Sequence, residues 1–208
     1  MNLKDTLVER DGPEAVSEYL SDSKRRFRHP IRWITAVLLL GLVVVAIVVA
    51  TRTPQEASAL ESPLVGREAP RFSGVDLLGG AHVSLSEFKG RYVFINFFAS
   101  WCPPCQQEAP NLVTFAYEQQ HVFGGAALIS VVFHDEDSSA RQFMVSQGAN
   151  WPVLPDPGGK IADSYGVGGP PMTFLVDPNG KITVQPLTGP ATSQQLTAML
   201  IAARSTNA

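Results

Sequence analysis

The sequence contains little cysteine and little charge. Two cysteines among 208 residues exclude both a small scaffold stapled by disulfides and a zinc site built from four cysteines. Charged residues make up 17% of the chain and the formal net charge is −3, so the chain lacks the basic character of a nucleic-acid-binding protein. Because 45% of the residues are hydrophobic, a wholly disordered chain is excluded as well. The length fits one folded domain with attachments.

One apolar block, residues 33–50, carries no charged side chain. As a helix it would extend for about 27 Å, which nearly matches the hydrocarbon core of a bilayer, about 30 Å thick. We therefore predict a transmembrane helix over 33–50. Only Arg52 follows it closely, whereas its amino-terminal side carries Lys24, Arg25, Arg26, Arg28 and Arg32. Since positively charged flanks stay in the cytoplasm, residues 1–32 are predicted to form a cytoplasmic tail.

A cleaved signal peptide is the alternative to such an anchor. Ala57-Ser58-Ala59 offers the small residues of a cleavage site. However, the segment before the apolar block is longer and more acidic than the start of a signal peptide, and the block exceeds the usual apolar core, which favours an uncleaved signal anchor. Residues 51–63 are polar and contain proline, as a linker does. Residues 64–208 then form one domain on the extracytoplasmic, periplasmic side.

Strands and helices alternate through this domain. The apolar runs 91–98 and 126–133 are typical of strands that are buried on both faces. Helices are predicted at 103–120, 138–147, 160–165 and 193–203, and hairpins at 75–85 and 172–187, with turns at Gly79-Gly80 and Asn179-Gly180. Thr192 and Gln195 have the spacing of a capping box for the last helix. The order of elements indicates an α/β fold with a mixed sheet.

The chemistry of the chain is concentrated in Trp101-Cys102-Pro103-Pro104-Cys105, where a buried strand ends and a helix begins. Two cysteines at this spacing can close a small disulfide ring reversibly. At a helix start, unpaired N–H groups and the helix dipole lower the pKa of the Cys102 thiol, and the thiolate is the attacking species. We therefore predict that Cys102 is the nucleophile and that Cys105, the more buried of the two, is the resolving thiol.

Other interpretations of the cysteine pair fit less well. A structural zinc site needs two further ligands with suitable spacing, and a c-type haem attachment site needs histidine where Gln106 stands. Pro103 suits the first helical turn because its missing N–H needs no partner there. Pro103 and Pro104 also stiffen the ring and remove donors that could stabilise the thiolate, so the sign of their effect on the reduction potential stays open.

Residues 62–203 resemble the thioredoxin superfamily, and within it the membrane-anchored TlpA/ResA/DsbE (CcmG) group. The segments that carry the resemblance are Ala69-Pro70, Trp101-Cys102, Glu108-Ala109-Pro110, Gly166-Val167 and the stretches 62–66, 94–101 and 171–177. The resemblance implies a thioredoxin-like mixed β-sheet flanked by helices, with an amino-terminal hairpin and a central insertion, preceded by one transmembrane helix. It also implies a thiol–disulfide oxidoreductase outside the cytoplasmic membrane.

The resemblance further suggests partners. Many members of the group are reductants in cytochrome c maturation, which keep the haem-site cysteines of apocytochrome c reduced. It implies apocytochrome c or its assembly factors as substrate, and a membrane thiol–disulfide transporter as electron donor. No bound cofactor and no metal are expected besides the redox-active disulfide Cys102–Cys105.

The resemblance assigns roles to residues around the cysteine pair. Glu108 borders the active site in this group, and burial would raise the pKa of its carboxyl toward neutrality, so that it could relay a proton for Cys105. An exposed helix carboxylate is the alternative. Asn96 stands where ordinary thioredoxins have a buried aspartate, and its amide cannot be the general base. Pro110 matches the helix kink of the group, unless the helix ends near Gln107.

The substrate side of the site is assigned in the same way. Pro171 matches the cis-proline of the superfamily, which packs beside the cysteine pair. Pro170 precedes it and keeps its C=O but has no N–H, so one of the two usual backbone hydrogen bonds to an extended substrate is lost. Trp101 either contacts substrate or simply packs. Gly168-Gly169 either lets a loop approach the cysteines or forms a plain turn.

The stretch His134-Asp135-Glu136-Asp137 is predicted to be a solvated loop that caps the next helix rather than a metal site. Several functions stay open beside the reductase. They are a disulfide oxidase, a general TlpA-type reductase of other envelope proteins, a peroxiredoxin-like peroxidase and a non-enzymatic copper carrier of the Sco type. A peroxidase would need Thr or Ser at the position of Ala99 and Pro at the position of Ile95. The copper carrier would need three residues between its cysteines, where this chain has two. Reduction potential separates oxidase from reductase.

Overall fold

The computed structural model describes residues 28–51 and 62–206, with side chains for 33–44 and 62–206. The cleavage motif and most of the predicted tail and linker lie outside the described residues. The chain divides into two compact units, 1–57 and 58–208. In the first unit, helix α1 covers Arg28–Thr51 and so includes the predicted helix at 33–50. Within the residues described, no helix is long and apolar enough to cross a membrane, and the membrane span stays a prediction.

The second unit is built around a five-stranded mixed sheet in the order β5-β4-β3-β6-β7. Strands β3, β4 and β5 are parallel, whereas β6 and β7 run antiparallel to their neighbours. The strands of this sheet are β3 (Val93–Phe98), β4 (Ala127–Val132), β5 (Val153–Leu154), β6 (Met172–Val176) and β7 (Leu187–Thr188). A separate antiparallel hairpin pairs β1 (Ser73–Val75) with β2 (His82–Ser84) and leads into a 3-10 helix, Leu85–Phe88.

Over residues 62–206, four α-helices accompany the sheet: α2 (Pro103–Gln120), α3 (Asp137–Gln147), α4 (Lys160–Tyr165) and α5 (Ser193–Thr206). Every residue of β3 and β4 is buried, because layers cover both faces of the sheet. One core, which includes Phe94 and Phe98, packs against α2, α3 and α5. The other, which includes Ile95 and Phe97, packs against α4 and the β1–β2 hairpin. This is the predicted mixed α/β sheet flanked by helices.

The boundaries of the helices follow from local chemistry. The capping box predicted before α5 is present: Gln195 N–H donates to Thr192 Oγ1 at 3.2 Å, and Gln195 Oε1 accepts from Thr192 N–H at 2.8 Å. Gly166 ends α4 in the left-handed conformation, with φ 67°. Helix α2 continues through Pro110, so the alternative in which it ends near Gln107 is wrong.

Two parts of the sheet differ from the sequence prediction. Strand β5 was not predicted. In the chain, α3 and β5 follow β4 and precede α4, and this is the part of the domain where the central insertion was expected. The return strand predicted at 181–187 is interrupted and pairs with β6 only through Leu187–Thr188 and a bridge at Ile182. The reason is that Ile182 bonds its backbone to Gly66 and Arg67, while Pro186 has no N–H to donate.

Candidate active site

The cysteine pair lies at the carboxyl end of the central strand β3, where α2 begins. Cys102 is the amino-terminal cap of α2 and forms a disulfide with Cys105, with 5.2 Å between the Cα atoms. The N–H of Cys105 donates to Cys102 Sγ at 3.2 Å. Because Pro103 and Pro104 occupy the first two helical positions and have no N–H, this is the first backbone donor that the helix offers to the sulfur.

Both cysteines are enclosed, and the residue before them is not. Cys102 is 3% exposed and Cys105 is 2% exposed, so the predicted difference in burial between the two residues is very small in the disulfide form. Trp101 is 55% exposed, which excludes its interpretation as an ordinary core side chain. Its indole N–H donates to the carbonyl of His134 at 3.1 Å, and this bond holds the ring at the surface beside the disulfide.

The proline pair faces the disulfide from the start of β6. The Pro170–Pro171 peptide bond is cis, as the resemblance implied, and the carbonyl oxygen of Pro170 lies 3.6 Å from Cys102 Sγ. The neighbouring Gly168-Gly169 does not serve a close approach to the cysteines, because a Cβ atom added to either glycine would meet nothing within 4 Å. The interpretation as a close approach is therefore wrong, and the two glycines lie in an irregular loop that bends at Gly169.

Glu108 is buried under the site, at 1% exposure, and the alternative of an exposed helix carboxylate is wrong. Burial raises the pKa of its carboxyl to about 7, against the lowering effect of two hydrogen bonds. These bonds come from Ala191 N–H to Oε1 and from Asn96 Nδ2 to Oε2, each at 3.0 Å. A carboxyl group three residues after Cys105, with a pKa near neutrality, is suited to proton transfer.

Asn96 connects this carboxyl group to the strand that follows the proline pair. It is completely buried on β3, and its Nδ2 also donates to Thr173 Oγ1 at 3.0 Å. Thr173 lies on β6, two residues after Pro171, and is opposite Asn96 in the antiparallel register. No role was predicted for Thr173, although it is a polar residue in an apolar strand and lies within the stretch 171–177 that carries the resemblance.

A loop after β4 braces the segment that leads into the cysteines. The N–H of Ser100 donates to Asp135 Oδ2 at 2.6 Å, and the carbonyl of Ser100 accepts from Gln106 Nε2 at 2.8 Å. This role of Asp135 was not predicted, although the carboxyl ends of the neighbouring parallel strands β3 and β4 meet at one edge of the sheet. The predicted capping of α3 is wrong in detail, because its cap residue Glu136 makes no side-chain capping bond.

Metal ligation has no visible basis in the part of the chain that the structure describes. No group of three or more histidine, cysteine, aspartate or glutamate side chains is close enough there to hold a metal ion. The site can perform the chemistry of its own sulfurs. A disulfide at a helix start, a backbone carbonyl beside one sulfur and a buried carboxyl group with a raised pKa together suit thiol–disulfide exchange.

Comparisons with known proteins agree with this chemistry. Residues 65–185 match the AhpC/TSA family. The chain is 36% identical over 138 residues to the thiol-disulfide oxidoreductase ResA of Bacillus thuringiensis (strain Al Hakam), an alignment that covers 65% of this chain and 76% of that protein.

Two solved structures show the same fold. One is a protein from Chlorobium tepidum assigned as the thiol:disulfide interchange protein DsbE, with 30% identity, a TM-score of 0.58 and coverage of 65% of this chain and 94% of that one. The other is StoA from Bacillus subtilis, with 25% identity, a TM-score of 0.54 and coverage of 66% and 99%. The chain therefore belongs to the AhpC/TSA family and is a thiol–disulfide oxidoreductase of the ResA/DsbE type with a thioredoxin-like fold.

Proposed function

We propose that this protein is a membrane-tethered disulfide reductase that acts in cytochrome c maturation on the extracytoplasmic side of the membrane. Its substrate is the disulfide of the haem-binding motif in apocytochrome c, or in a factor that assembles it. The likeness to ResA and DsbE proteins supports the class of reaction. The apolar stretch 33–50 with its basic amino-terminal flank supports the tether and its orientation.

The reaction is a two-step exchange in which electrons and protons balance. The Cys102 thiolate attacks one sulfur of the substrate disulfide, so an enzyme–substrate S–S bond forms while the substrate bond breaks and releases a thiolate. Glu108 then accepts the proton of the Cys105 thiol, and the Cys105 thiolate attacks Cys102 Sγ. Glu108 gives this proton to the thiolate that is released in the second step, and the thiolate that is released in the first step takes from solvent the proton that Cys102 lost when its own thiolate formed. The substrate leaves with two thiols, and the enzyme keeps the Cys102–Cys105 disulfide. The two electrons thus pass from enzyme to substrate.

The observation that carries the proposal is the buried carboxyl group of Glu108, three residues from Cys105 and with its pKa raised to about 7. A group with this pKa can accept the thiol proton and give it back at neutral pH. Because a buried thiol must lose its proton before it attacks, such a group favours fast release of the reduced substrate. Trp101 and the Pro170 carbonyl provide the contact surface for the substrate segment.

The enzyme must be reduced again after each turnover. We propose that a membrane thiol–disulfide transporter supplies the electrons, since the tether keeps the domain at high local concentration near such a donor. The disulfide pair itself carries the two electrons, so the proposed reaction uses no bound cofactor. This assignment predicts that reduction depends on an oxidisable protein partner in the same membrane.

The test is the equilibrium reduction potential of Cys102–Cys105 in the detergent-solubilised full chain, measured against dithiothreitol buffers. A value near that of thioredoxin, about −270 mV, supports the reductase, whereas a value near about −120 mV makes the protein a disulfide donor. A second assay follows the reduction of a peptide that contains an oxidised Cys-x-x-Cys-His motif. Equal rates with this peptide and with unrelated disulfide peptides would contradict the cytochrome c assignment and favour a general reductase of envelope proteins.

A further inference from the structure

The two ends of the Asn96 amide have unequal surroundings. Its Nδ2 uses both hydrogen atoms, one toward Glu108 Oε2 and one toward Thr173 Oγ1, each at 3.0 Å. Its Oδ1 is buried and has no hydrogen-bond partner within the part of the molecule that is described. Buried polar atoms without a partner are uncommon in native proteins, and each one calls for an explanation.

The present arrangement suits an ionised Glu108. Its two carboxylate oxygens face two donors, Asn96 Nδ2 and the N–H of Ala191. An ionised carboxylate only accepts hydrogen bonds, but a protonated carboxyl group must also donate one. Neither of the groups that now bond to Glu108 can accept. Protonation of Glu108 in this arrangement would therefore leave its O–H without an acceptor among the groups that bond to it.

A half-turn of the amide about its Cβ–Cγ bond meets the changed requirement. It brings Oδ1 to the place of Nδ2, where its two lone pairs can accept from the Glu108 O–H and from the Thr173 hydroxyl. A hydroxyl can donate as well as accept, so Thr173 remains a partner in both orientations. The amide makes two hydrogen bonds before and after this rotation. The position without a partner is the same in both states; Oδ1 occupies it before the rotation and Nδ2 after it.

We propose that Asn96 is a positioning residue whose amide turns over when Glu108 gains or loses its proton, with the Thr173 hydroxyl changing from acceptor to donor. The unpartnered Oδ1 is then the spare acceptor of the other state. Thr173 lies on β6, two residues after Pro171. The rotation of the amide therefore connects proton transfer at Glu108 with the strand that follows the substrate-facing proline pair. The proposal deepens the proposed function, since it rests on Glu108 as the proton-transfer group, but it does not depend on the tether or on cytochrome c.

The surroundings of Glu108 leave few other groups that could drive this change. Two groups bond to Glu108: the Asn96 amide from β3 and the Ala191 N–H from the loop before α5. Thr173 on β6 bonds in turn to Asn96. None of these three groups titrates. On α2 itself, the titratable neighbours are the thiols of the cysteine pair, which do not titrate in the disulfide form. Among the contacts described for Glu108, none is to a charged side chain. The pKa of about 7 supports the proposal because both states are then populated near neutral pH.

The direct test uses the oxidised full chain in detergent micelles, labelled with ¹⁵N-asparagine, across about pH 5 to pH 9. We expect the Asn96 side-chain resonances to shift with a midpoint near pH 7, and this shift to vanish in Glu108→Gln. Above the midpoint, the amide protons should show nuclear Overhauser effects to the Thr173 methyl group, which disappear below it. A shift in which these effects persist at every pH means a static amide that merely senses the charge, and this result overturns the proposal.

The kinetic test follows the release of a peptide from its mixed disulfide with Cys102. Asn96→Leu removes both the donor to ionised Glu108 and the acceptor for its neutral form. Because a hydrogen bond to the ionised carboxylate is stronger than one to the neutral carboxyl group, and because only the Ala191 N–H then still opposes the effect of burial, we expect the midpoint of the pH–rate profile to move upward by about one unit, a tenfold loss of rate at fixed pH below it. Ser130→Ala is the matched control, because Ser130 is the neighbour of Asn96 in register on β4 but bonds to Trp151 instead.

The outcomes separate this proposal from the proposed function. If Glu108→Gln keeps the profile of the wild type, Glu108 is not the proton-transfer group and the proposed mechanism fails. If Glu108→Gln flattens the profile while Asn96→Leu leaves its midpoint in place, only the role of Asn96 fails. If Ser130→Ala moves the midpoint as much as Asn96→Leu does, the effect comes from general loosening of the sheet and the proposal is overturned.

Discussion

Replacement of Glu108 by glutamine should change how the stability of the domain depends on pH. Burial raises the pKa of Glu108 in the folded protein from an ordinary 4.5 to about 7. Below pH 4.5 the carboxyl binds its proton in both the folded and the unfolded chain. As the pH rises toward 7, the unfolded chain loses the proton while the folded chain keeps it, so the free energy of unfolding falls. Above pH 7 the loss is complete.

The size of the effect follows from the pKa difference. One pKa unit corresponds to about 1.36 kcal/mol, and the difference at Glu108 therefore corresponds to about 3 kcal/mol in the free energy of unfolding. Glutamine keeps the shape of the side chain but does not titrate. The stability of Glu108→Gln relative to wild type should thus rise by about 3 kcal/mol between pH 4 and pH 8, whatever its offset at low pH.

The assay is urea unfolding of the oxidised 58–208 unit at a series of pH values, since the difference between two variants cancels the titration of all other groups. Glu118→Gln is the control, because this residue lies on the same helix but is exposed. A difference between Glu108→Gln and wild type that stays flat with pH would refute the reasoning. It would mean that the carboxyl of Glu108 keeps its ordinary pKa despite its burial.

Three further predictions test the remaining parts of the site. Cys105→Ala should trap a substrate peptide on Cys102 as a stable mixed disulfide, visible on non-reducing gels, whereas trapping by Cys102→Ala would reverse the assigned roles. Asp135→Ala removes the acceptor of the Ser100 N–H and should lower the free energy of unfolding by about 1–3 kcal/mol, whereas Asp135→Asn should lower it less. Urea unfolding measures both variants. If Asp135→Ala leaves the free energy of unfolding unchanged, Asp135 does not brace this segment. Trp101→Ala should leave stability within about 0.5 kcal/mol and raise the KM for protein disulfides in a coupled reductase assay; an unchanged KM would show that the indole does not contact substrate.

Most of the fold could be predicted because its main elements carry strong local patterns. Strands β3 and β4 are continuous apolar runs, and α2 begins at a proline pair and covers the predicted residues. Strand β5 could not be predicted, since two residues are too few to show any period. Its two residues form a strand because they pair with Ser130 and Val131 of β4, a contact that exists only after folding.

The residues of the site also fall into two groups: those close to the cysteine pair in the sequence, which could be predicted, and those far from it, which could not. The cysteine pair and Glu108 lie within seven positions of one another in the sequence, so their spacing on a helix start indicates their chemistry. The partners that tune them lie far along the chain: Asp135 is 35 positions from Ser100, Thr173 is 77 from Asn96, and Ala191 is 83 from Glu108. No local pattern links these residues to the cysteine pair, because only the packing of β3 against its neighbours and of α2 against the loop before α5 brings them together.

The closure of the disulfide has a consequence for how the protein meets its surroundings. The rate of thiol–disulfide exchange depends on access to the sulfur that is attacked, and both cysteines are almost fully enclosed. Small thiols in solution therefore find little sulfur surface, whereas the proposed substrate segment between Trp101 and the Pro170 carbonyl would be guided to Cys102. The domain is in this sense kinetically insulated from the bulk redox buffer. Under the proposed function, its oxidation state would follow its protein partners rather than the average reduction potential of the compartment.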